Sequence, residues 1–152
     1  MSKRIGTPTE TGIARYLQVN GFPHAERRPL SGAFDKGDIL VCPGVIIEAK
    51  SGKAAENASD GQILKWLEET ERERQNAFAA IALLVTKRRG VSNNRAGEFW
   101  CHMDGGVFAD LVYEVPKGEV PYEKLDIPIR VHLANAVYLL RLAGYGDPLP
   151  DE

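Results

Sequence analysis

The stretch Asp38-Ile-Leu-Val-Cys-Pro-Gly-Val-Ile-Ile-Glu-Ala-Lys50 decides the fold predicted for this 152-residue chain. It contains two runs rich in β-branched residues, and the Pro43-Gly44 pair between them is typical of a tight turn. Residues 38–42 and 45–50 are therefore predicted to form a β-hairpin. The second run begins Val45-Ile46-Ile47 and is apolar on both faces, which indicates a central strand covered by helices.

The segments on either side of the hairpin predict a mixed sheet flanked by helices. A first helix begins in Thr7-Pro8-Thr9-Glu10, which has the pattern of a capping box, and it ends near Gly21. We expect further helices at 57–76 and 129–143, and further strands at 77–86 and 107–115. The order α-β-β-α-β-β-α predicts a single α/β domain over residues 1–152. The side chains expected to face the core are Ile13, Ala14 and Leu17 in the first helix, Ile63, Leu64, Trp66 and Leu67 in the second, and Ile129, Leu133, Val137 and Leu140 in the third.

Composition and charge limit the class of protein. Hydrophobic residues make up 43% of the chain and charged residues 26%, which is ordinary for a soluble globular domain. No apolar run approaches the roughly 18 residues of a membrane span, and no apolar segment follows the charged N-terminus. We therefore expect no signal peptide and a cytoplasmic location, in a bacterial, archaeal or phage-infected cell. The net charge of −2 excludes a uniformly basic surface, although local clusters of Lys and Arg can still bind nucleic acid.

Three charged side chains are predicted to meet at the end of the hairpin. Glu48 and Lys50 lie on one face of their strand, about 6.6 Å apart along it, because side chains alternate between faces. A turn at Pro43-Gly44 pairs residues whose numbers sum to about 87, which puts Asp38 opposite Ala49 and beside Glu48. Two carboxylates about 5 Å apart repel by roughly 3 kcal/mol at an effective dielectric constant near 20, so the pair favours a divalent cation between them.

This cluster predicts metal-dependent hydrolysis of a phosphodiester. A small number of carboxylate ligands suits Mg²⁺, with Mn²⁺ as a substitute, and leaves positions for water and phosphate oxygens. The cation would polarise the phosphate and lower the pKa of an attacking water, which Lys50 would orient. The alternative is structural, with a surface ion pair between Glu48 and Lys50 and with Asp38 capping a turn.

The order of these residues resembles a known nuclease motif. Gly37-Asp38, a short hairpin and Glu48-Ala49-Lys50 resemble the signature of the PD-(D/E)XK nuclease superfamily, with Gly in place of its Pro. A preceding helix with a glutamate and a loop with a serine are similar to those of the Holliday-junction resolvases of archaeal type and their phage relatives. This resemblance covers about residues 5–90, and residues 91–152 would complete the domain. The matching positions are Glu10, Ser31, Asp38, Glu48 and Lys50.

The resemblance implies a restriction-endonuclease-like fold and a Mg²⁺-dependent endonuclease that resolves branched DNA by symmetric cuts. It implies catalytic roles for all five matching positions, with Asp38, Glu48, the backbone carbonyl of Ala49 and Glu10 as metal ligands. Ser31 would touch the scissile phosphate. The alternatives are a capping-box role for Glu10, which also lies on the apolar stripe, and an ordinary loop position for Ser31.

Basic residues flank the predicted site and form the candidate DNA-binding set. One group precedes the hairpin, one residue follows it directly, and a triplet closes the next strand. Phosphate contacts from such groups position a duplex without reading its sequence. Each of these side chains, taken alone, is also typical of an ordinary solvated surface. The set comprises Arg27, Arg28, Lys36, Lys53, Lys87, Arg88 and Arg89.

Three functions stay open at this point. The first is a junction-cutting homodimer, since a two-fold symmetric junction needs two active sites, with the 129–143 helix as a candidate interface. The second is another nuclease of the superfamily, of restriction, nicking or exonuclease type. Gln62 favours it, because Gln62 and Trp66 resemble the Gln-x-x-x-Tyr of RecB-like members, although a solvent-facing glutamine is the alternative. The third is a nucleic-acid-binding protein without catalysis.

The two cysteines, Cys42 and Cys101, are predicted to be reduced thiols. Cys101 is followed directly by His102 within the unusual stretch 98–104. A zinc site normally needs four ligands at recognisable spacing, and only Cys42, His24 and His132 remain to complete one. We therefore favour a packed aromatic hairpin over zinc for this stretch.

Overall fold

The computed structural model describes residues 7–28, 38–113 and 123–151. This part of the chain forms a six-stranded mixed sheet flanked by helices, so the predicted α/β class is confirmed. No helix in it is long and apolar enough to cross a membrane. The strands are β1 Glu26–Arg27, β2 Ile39–Cys42, β3 Val45–Lys50, β4 Ile81–Thr86, β5 Trp100–Asp104 and β6 Pro128–His132. The helices are α1 Thr7–Gln18, α2 Gly52–Glu56, α3 Asp60–Asn76, α4 Gly105–Val112 and α5 Leu133–Leu142, with a 3₁₀ helix at Asn93–Glu98.

The strands lie in the sheet in the order in which they occur along the chain. β1, β2 and β3 form an antiparallel meander, and so do β4, β5 and β6. β3 and β4 are parallel, because the chain passes through α2 and α3 between them. This connection brings the C-terminal ends of β3 and β4 to the same edge of the sheet.

The two faces of β3 have different surroundings. Val45 and Ile47 belong to the main hydrophobic core, where Ile13 and Leu17 of α1 are fully buried. The alternate residues of β3 point to the other face, which α3 covers. The prediction for the buried stripe of α1 is confirmed, since Ala14 is buried as well.

The C-terminal end of α1 has the geometry expected from its glycine. Gly21 has a φ of 100°, a left-handed conformation that residues with a β carbon rarely adopt. The Phe22 N–H then donates to the Leu17 carbonyl at 3.0 Å, which is the longer hydrogen bond of a Schellman motif. Phe22 is buried behind this turn, so the chain is directed from α1 back to the edge strand β1.

The predicted strand at 107–115 is wrong. Residues 105–112 form α4, and the strand of this region is β5, one segment earlier. The Asp104 side chain accepts a hydrogen bond from the Gly106 N–H at 2.9 Å and thereby caps the helix. A short apolar run does not distinguish a helix from a strand by itself, and this cap decides the outcome. The stretch 98–104 also differs from the predicted hairpin, since its last five residues are a single strand paired on both sides.

The predicted helix at 129–143 is wrong for its first four residues and correct for the residues that follow. Its first residues form β6, which pairs with β5 over five positions, and the helix α5 begins only at Leu133. The spacing of Ile129 and Leu133 fits a helix by coincidence, because the partner strand outweighs the local periodicity. Leu133, Val137 and Leu140 are buried as predicted, whereas Ile129 packs against the core from the strand.

The remaining two predicted elements are correct in type, although their details differ. α3 lies within the predicted 57–76, but Leu64 is 48% exposed, and the fully buried positions of this helix are Thr70 and Glu73. The strand predicted at 77–86 begins only at Ile81, because α3 extends through Asn76 and a turn follows it.

Candidate metal centre

The pairing of β2 with β3 differs by one residue from the predicted register. Ile39 lies opposite Ile47 and Leu40 opposite Ile46, but Cys42 lies opposite Val45, so the ladder is irregular at Val41. Asp38 lies just before Ile39, the first paired residue of β2, and is not itself part of the ladder. The Asp38 carboxyl nevertheless interacts with the Glu48 carboxyl by charge and by a side-chain hydrogen bond, so the two carboxyl groups are neighbours.

Asp38 is held in place by three backbone contacts. Its N–H donates to the Ile47 carbonyl at 3.0 Å, and its carbonyl accepts from the Arg28 N–H at 2.7 Å. Its carboxylate Oδ2 accepts from the Ala49 N–H at 2.8 Å. The side chain is therefore fixed at the end of the hairpin, beside the backbone of the predicted metal-binding strand.

Glu48 and Lys50 continue the cluster along β3. Glu48 is only 6% exposed, and its Oε1 lies 3.6 Å from the Lys50 ammonium. The same ammonium lies 3.4 Å from Oε2 of Glu69 and 5.5 Å from the centre of the Trp66 ring. Both of these residues belong to α3, so this helix holds Lys50 from the side opposite to β3.

Burial and the charges of the cluster shift the pKa values of Asp38 and Lys50. Burial, followed by the negative charge of Glu48, raises the pKa of Asp38 from 3.8 to about 8, although the Ala49 N–H opposes the shift. Burial alone would lower the pKa of Lys50, but Glu48 and Glu69 outweigh it and raise that pKa. Asp38 therefore favours its protonated form at neutral pH.

Glu10 lies near this cluster but has another partner. Its Oε2 is 3.1 Å from Nη2 of Arg27 and accepts from Nε at 3.2 Å. Its charge also contributes to the raised pKa of Asp38, which places it within electrostatic reach of that carboxyl. Glu10 would thus have to break its ion pair with Arg27 in order to bind a metal. The same ion pair engages Arg27, whose side chain is only partly exposed.

The donor set fits a magnesium-type ion only in part. Within the three described ranges, no group of three or more His, Cys, Asp or Glu side chains is arranged to hold a metal ion. Asp38 and Glu48 with the carbonyl of Ala49 are hard oxygen donors, and Mg²⁺ commonly uses one or two carboxylates while keeping several waters. The residues present therefore suit a cation with few protein ligands.

Cys101 and His102 do not form a zinc-type pair. Burial raises the pKa of the Cys101 thiol to about 12, whereas zinc binds the thiolate. His102 lies on the opposite face of β5 and shares a hydrogen bond of 3.0 Å with Oγ1 of Thr86. Burial and the charge of Arg130 lower the pKa of His102 to about 4, so its ring is neutral.

The predicted DNA-binding residues fall into separate groups. The Lys87 ammonium lies 3.7 Å from Glu56 and donates to the carbonyls of Arg88 and Val91, so it stabilises the loop after β4. Lys53 and Arg89 are exposed, and Arg28 is half-buried. Ser31 and Lys36 lie outside the described residues.

Gln62 lies in the first turn of α3, where its N–H donates to the Ser59 side chain at 3.2 Å. The residue four positions later, Trp66, is the one that contacts Lys50. Trp66 and Glu69 were not predicted as site residues. Their spacing of three on the helix that follows β3 is the signal that could have found them.

Comparisons of this chain with protein-family models, curated proteins and solved structures give no match. The resemblance to PD-(D/E)XK nucleases therefore stays a prediction, based on the residues named above and their arrangement.

Proposed function

We propose that this chain is a Mg²⁺-dependent endodeoxyribonuclease of the PD-(D/E)XK type. One observation carries the proposal: at the end of the β2–β3 hairpin the Asp38 carboxyl interacts with that of Glu48, and the Lys50 ammonium lies 3.6 Å from Glu48. A buried carboxyl group whose pKa is raised by a second carboxylate is costly in a site without a task, and such groups concentrate at functional sites. The meander β1–β2–β3 followed by a helical connection to a parallel β4 is compatible with the proposed fold family.

Each residue has a distinct role in the proposed reaction. Asp38, Glu48 and the carbonyl of Ala49 would hold the cation, and a bound cation supplies a polarised phosphate and a water of lowered pKa. Lys50 would orient the attacking water and offset the charge that develops on the phosphate. Trp66 and Glu69 would keep the Lys50 ammonium at the end of β3, within reach of the reacting oxygens.

The branched substrate and the dimer are finer parts of the proposal. The four-way junction follows from the resemblance of Glu10 and the Ser31 loop to junction resolvases, and its symmetry calls for two copies of the site. The predicted interface helix α5 buries Leu133, Val137 and Leu140 within its own domain. It leaves Tyr138 51% exposed and Leu142 39% exposed, and these side chains could contact a second copy.

A nucleic-acid-binding protein without catalysis is the second candidate. It is favoured by the ion pair of Lys50 with Glu69, which engages the ammonium, and by the ion pair of Glu10 with Arg27. In such a protein the carboxylates would share a proton permanently, and Mg²⁺ would change neither stability nor the DNA.

The deciding experiment incubates the purified protein with continuous duplex, nicked duplex, flap and four-way-junction DNA, in Mg²⁺, Mn²⁺ or EDTA. Symmetric nicks confined to junctions, and absent in EDTA, would support the proposal in full. Exonucleolytic ladders or cuts in continuous duplex would keep the nuclease but contradict the junction substrate. Binding without any cut would favour the second candidate. Light scattering of the same samples would test the homodimer.

A further inference from the structure

Two guanidinium groups lie against one indole near β5 and β6, at the end of the sheet away from β1. Cζ of Arg88 is 4.3 Å and Cζ of Arg130 is 4.1 Å from the centre of the Trp100 ring. The ring of His132 lies 5.1 Å from the same indole, and its Nε2 is 3.2 Å from Nη1 of Arg88. We name these four residues the arginine–indole cluster.

The cluster carries two positive charges, and Glu98 is an acid within electrostatic reach of Arg88. Neither Arg88 nor Arg130 takes part in an ion pair with a carboxylate in the described part of the chain. The indole face attracts a guanidinium group, which holds the group in place and leaves its charge intact. Two such groups against one ring therefore favour an anion as a ligand, and planar guanidinium groups match the oxygens of a phosphate.

The sheet places this cluster on the same face as the candidate metal centre. Lys50 lies opposite Thr86, Thr86 opposite Trp100, and Trp100 opposite His132, in one row across four strands. Residues paired in this way point to one face. Neighbouring strands are about 4.8 Å apart, so β5 and β6 lie about 10 and 14 Å from β3.

A cavity of about 440 Å³ lies beside the cluster on this face. Its sheet side includes Thr86, Trp100, His102 and Arg130, and its helix side includes the apolar Ile63. Two acids, Glu56 and Asp60, also line it from α2 and α3. These acids repel a phosphate, so a nucleotide in the cavity would keep its phosphate at the arginines and its base towards α3.

We propose that the arginine–indole cluster binds the backbone of one strand of the DNA substrate and that the adjoining cavity takes one unpaired nucleotide of it. This inference rests on the proposed function, and it specifies the substrate as DNA with an unpaired segment near the cut. At about 3.4 Å per nucleotide along a strand, the distances across the sheet correspond to about three to four nucleotides from the scissile phosphate. A base within a continuous duplex cannot enter the cavity without leaving its stack, which costs free energy.

The test measures binding in EDTA, where cleavage cannot occur. Fluorescence anisotropy would compare a labelled oligothymidylate, a flap and a continuous duplex of matched length. The double variant Arg88→Ala, Arg130→Ala is expected to bind the oligothymidylate and the flap about tenfold more weakly, because it loses both guanidinium contacts to the backbone phosphates. Its affinity for the continuous duplex is expected to change much less.

A matched control removes an exposed arginine from the opposite face of the sheet. Arg15→Ala on α1 is expected to leave all three affinities unchanged. The variant Arg88→Lys, Arg130→Lys keeps the charge and is expected to recover only part of the binding, because it loses the planar contacts. If the alanine variant does not fold, as judged by circular dichroism, this lysine variant carries the comparison.

A second measurement reports directly on the cluster. The chain has two tryptophans, so Trp66→Phe leaves Trp100 as the only indole fluorophore. We expect oligothymidylate to change the emission of Trp100 in this variant. Unchanged emission together with unchanged affinity in the arginine variants would overturn the inference, and so would an equal loss for all three DNAs. Absence of cleavage in Mg²⁺ would contradict the nuclease but leave these binding results unaffected.

Discussion

The candidate metal centre and the arginine–indole cluster lie on the same face of the sheet, but the first gathers carboxylates, whereas the second gathers guanidinium groups, of which Arg130 is exposed and Arg88 half-buried. In the first, burial and the like charge of Glu48 raise the pKa of Asp38 to about 8. In the second, the guanidinium groups of Arg88 and Arg130 pack against Trp100. The candidate metal centre therefore favours a cation as its ligand, and the arginine–indole cluster favours an anion. A phosphodiester in contact with a divalent cation offers both.

The largest expected effect is on cleavage. Asp38→Asn or Glu48→Gln removes a charged ligand while keeping the shape of the side chain. Cleavage in Mg²⁺ should fall at least about 10³-fold, since a bound cation supplies several kcal/mol of transition-state stabilisation. Initial rates on the preferred DNA measure the effect, and anisotropy in EDTA should show unchanged binding. Glu26→Gln, an exposed glutamate on the edge strand β1, is the matched control. A wild-type rate in either site variant would refute the site assignment.

The next largest effect is on the unfolding free energy, through the raised pKa of Asp38. The folded pKa of Asp38 is raised above its unfolded value, so its contribution to the unfolding free energy is full below about pH 4 and is lost as the pH rises to about 8. Without metal, Asp38→Asn should therefore be more stable than wild type at pH 8, by about 1–2 kcal/mol after allowance for solvent screening. Chemical denaturation in EDTA measures this difference. Mn²⁺ should stabilise wild type at pH 8 and not the variant; equal stabilisation of both would contradict the metal site.

A smaller effect on the unfolding free energy, with the opposite pH dependence, is expected at His102, which lines the cavity beside the arginine–indole cluster. The pKa of His102 is lowered to about 4 in the folded protein, so its contribution is present above about pH 6.5 and is lost as the pH falls towards 4. His102→Gln should flatten the decline in the unfolding free energy over this window. His24→Gln, at an exposed histidine, is the control. If both variants follow the wild-type curve, burial and the charge of Arg130 do not hold the His102 ring neutral.

The smallest effect is expected at Glu69, a positioning residue for Lys50. The ion pair is partly exposed, and such pairs are worth about 0–1 kcal/mol, so Glu69→Gln should lower the cleavage rate only about two- to fivefold. The pH profile of the rate should also shift, because Glu69 helps to raise the pKa of Lys50. Glu68→Gln, the exposed neighbour, should leave rate and profile unchanged. An unshifted profile in Glu69→Gln would contradict the positioning role.

Local patterns were sufficient for the hairpin and the first helix. Pro43-Gly44 between two β-branched runs specifies a turn, and Ile13 and Leu17 lie one turn apart on a helix that ends at Gly21. These features depend on neighbours a few residues away, so they can be predicted without the rest of the fold. The segments at 105–112 and 128–132 could not, because a cap at Asp104 and pairing with β5 override their apolar patterns.

The sequence by itself determined that Glu48 and Lys50 share a face of one strand, because alternation is a property of the extended backbone. Only the tertiary structure decided that the Asp38 carboxyl reaches Glu48 and accepts from the Ala49 N–H, since Asp38 belongs to the neighbouring segment of the hairpin. It also decided that Trp66 and Glu69 reach Lys50 and that Arg88 and Arg130 meet at Trp100. These contacts join residues far apart in the chain, and their formation depends on strand order and helix packing, which no local pattern specifies.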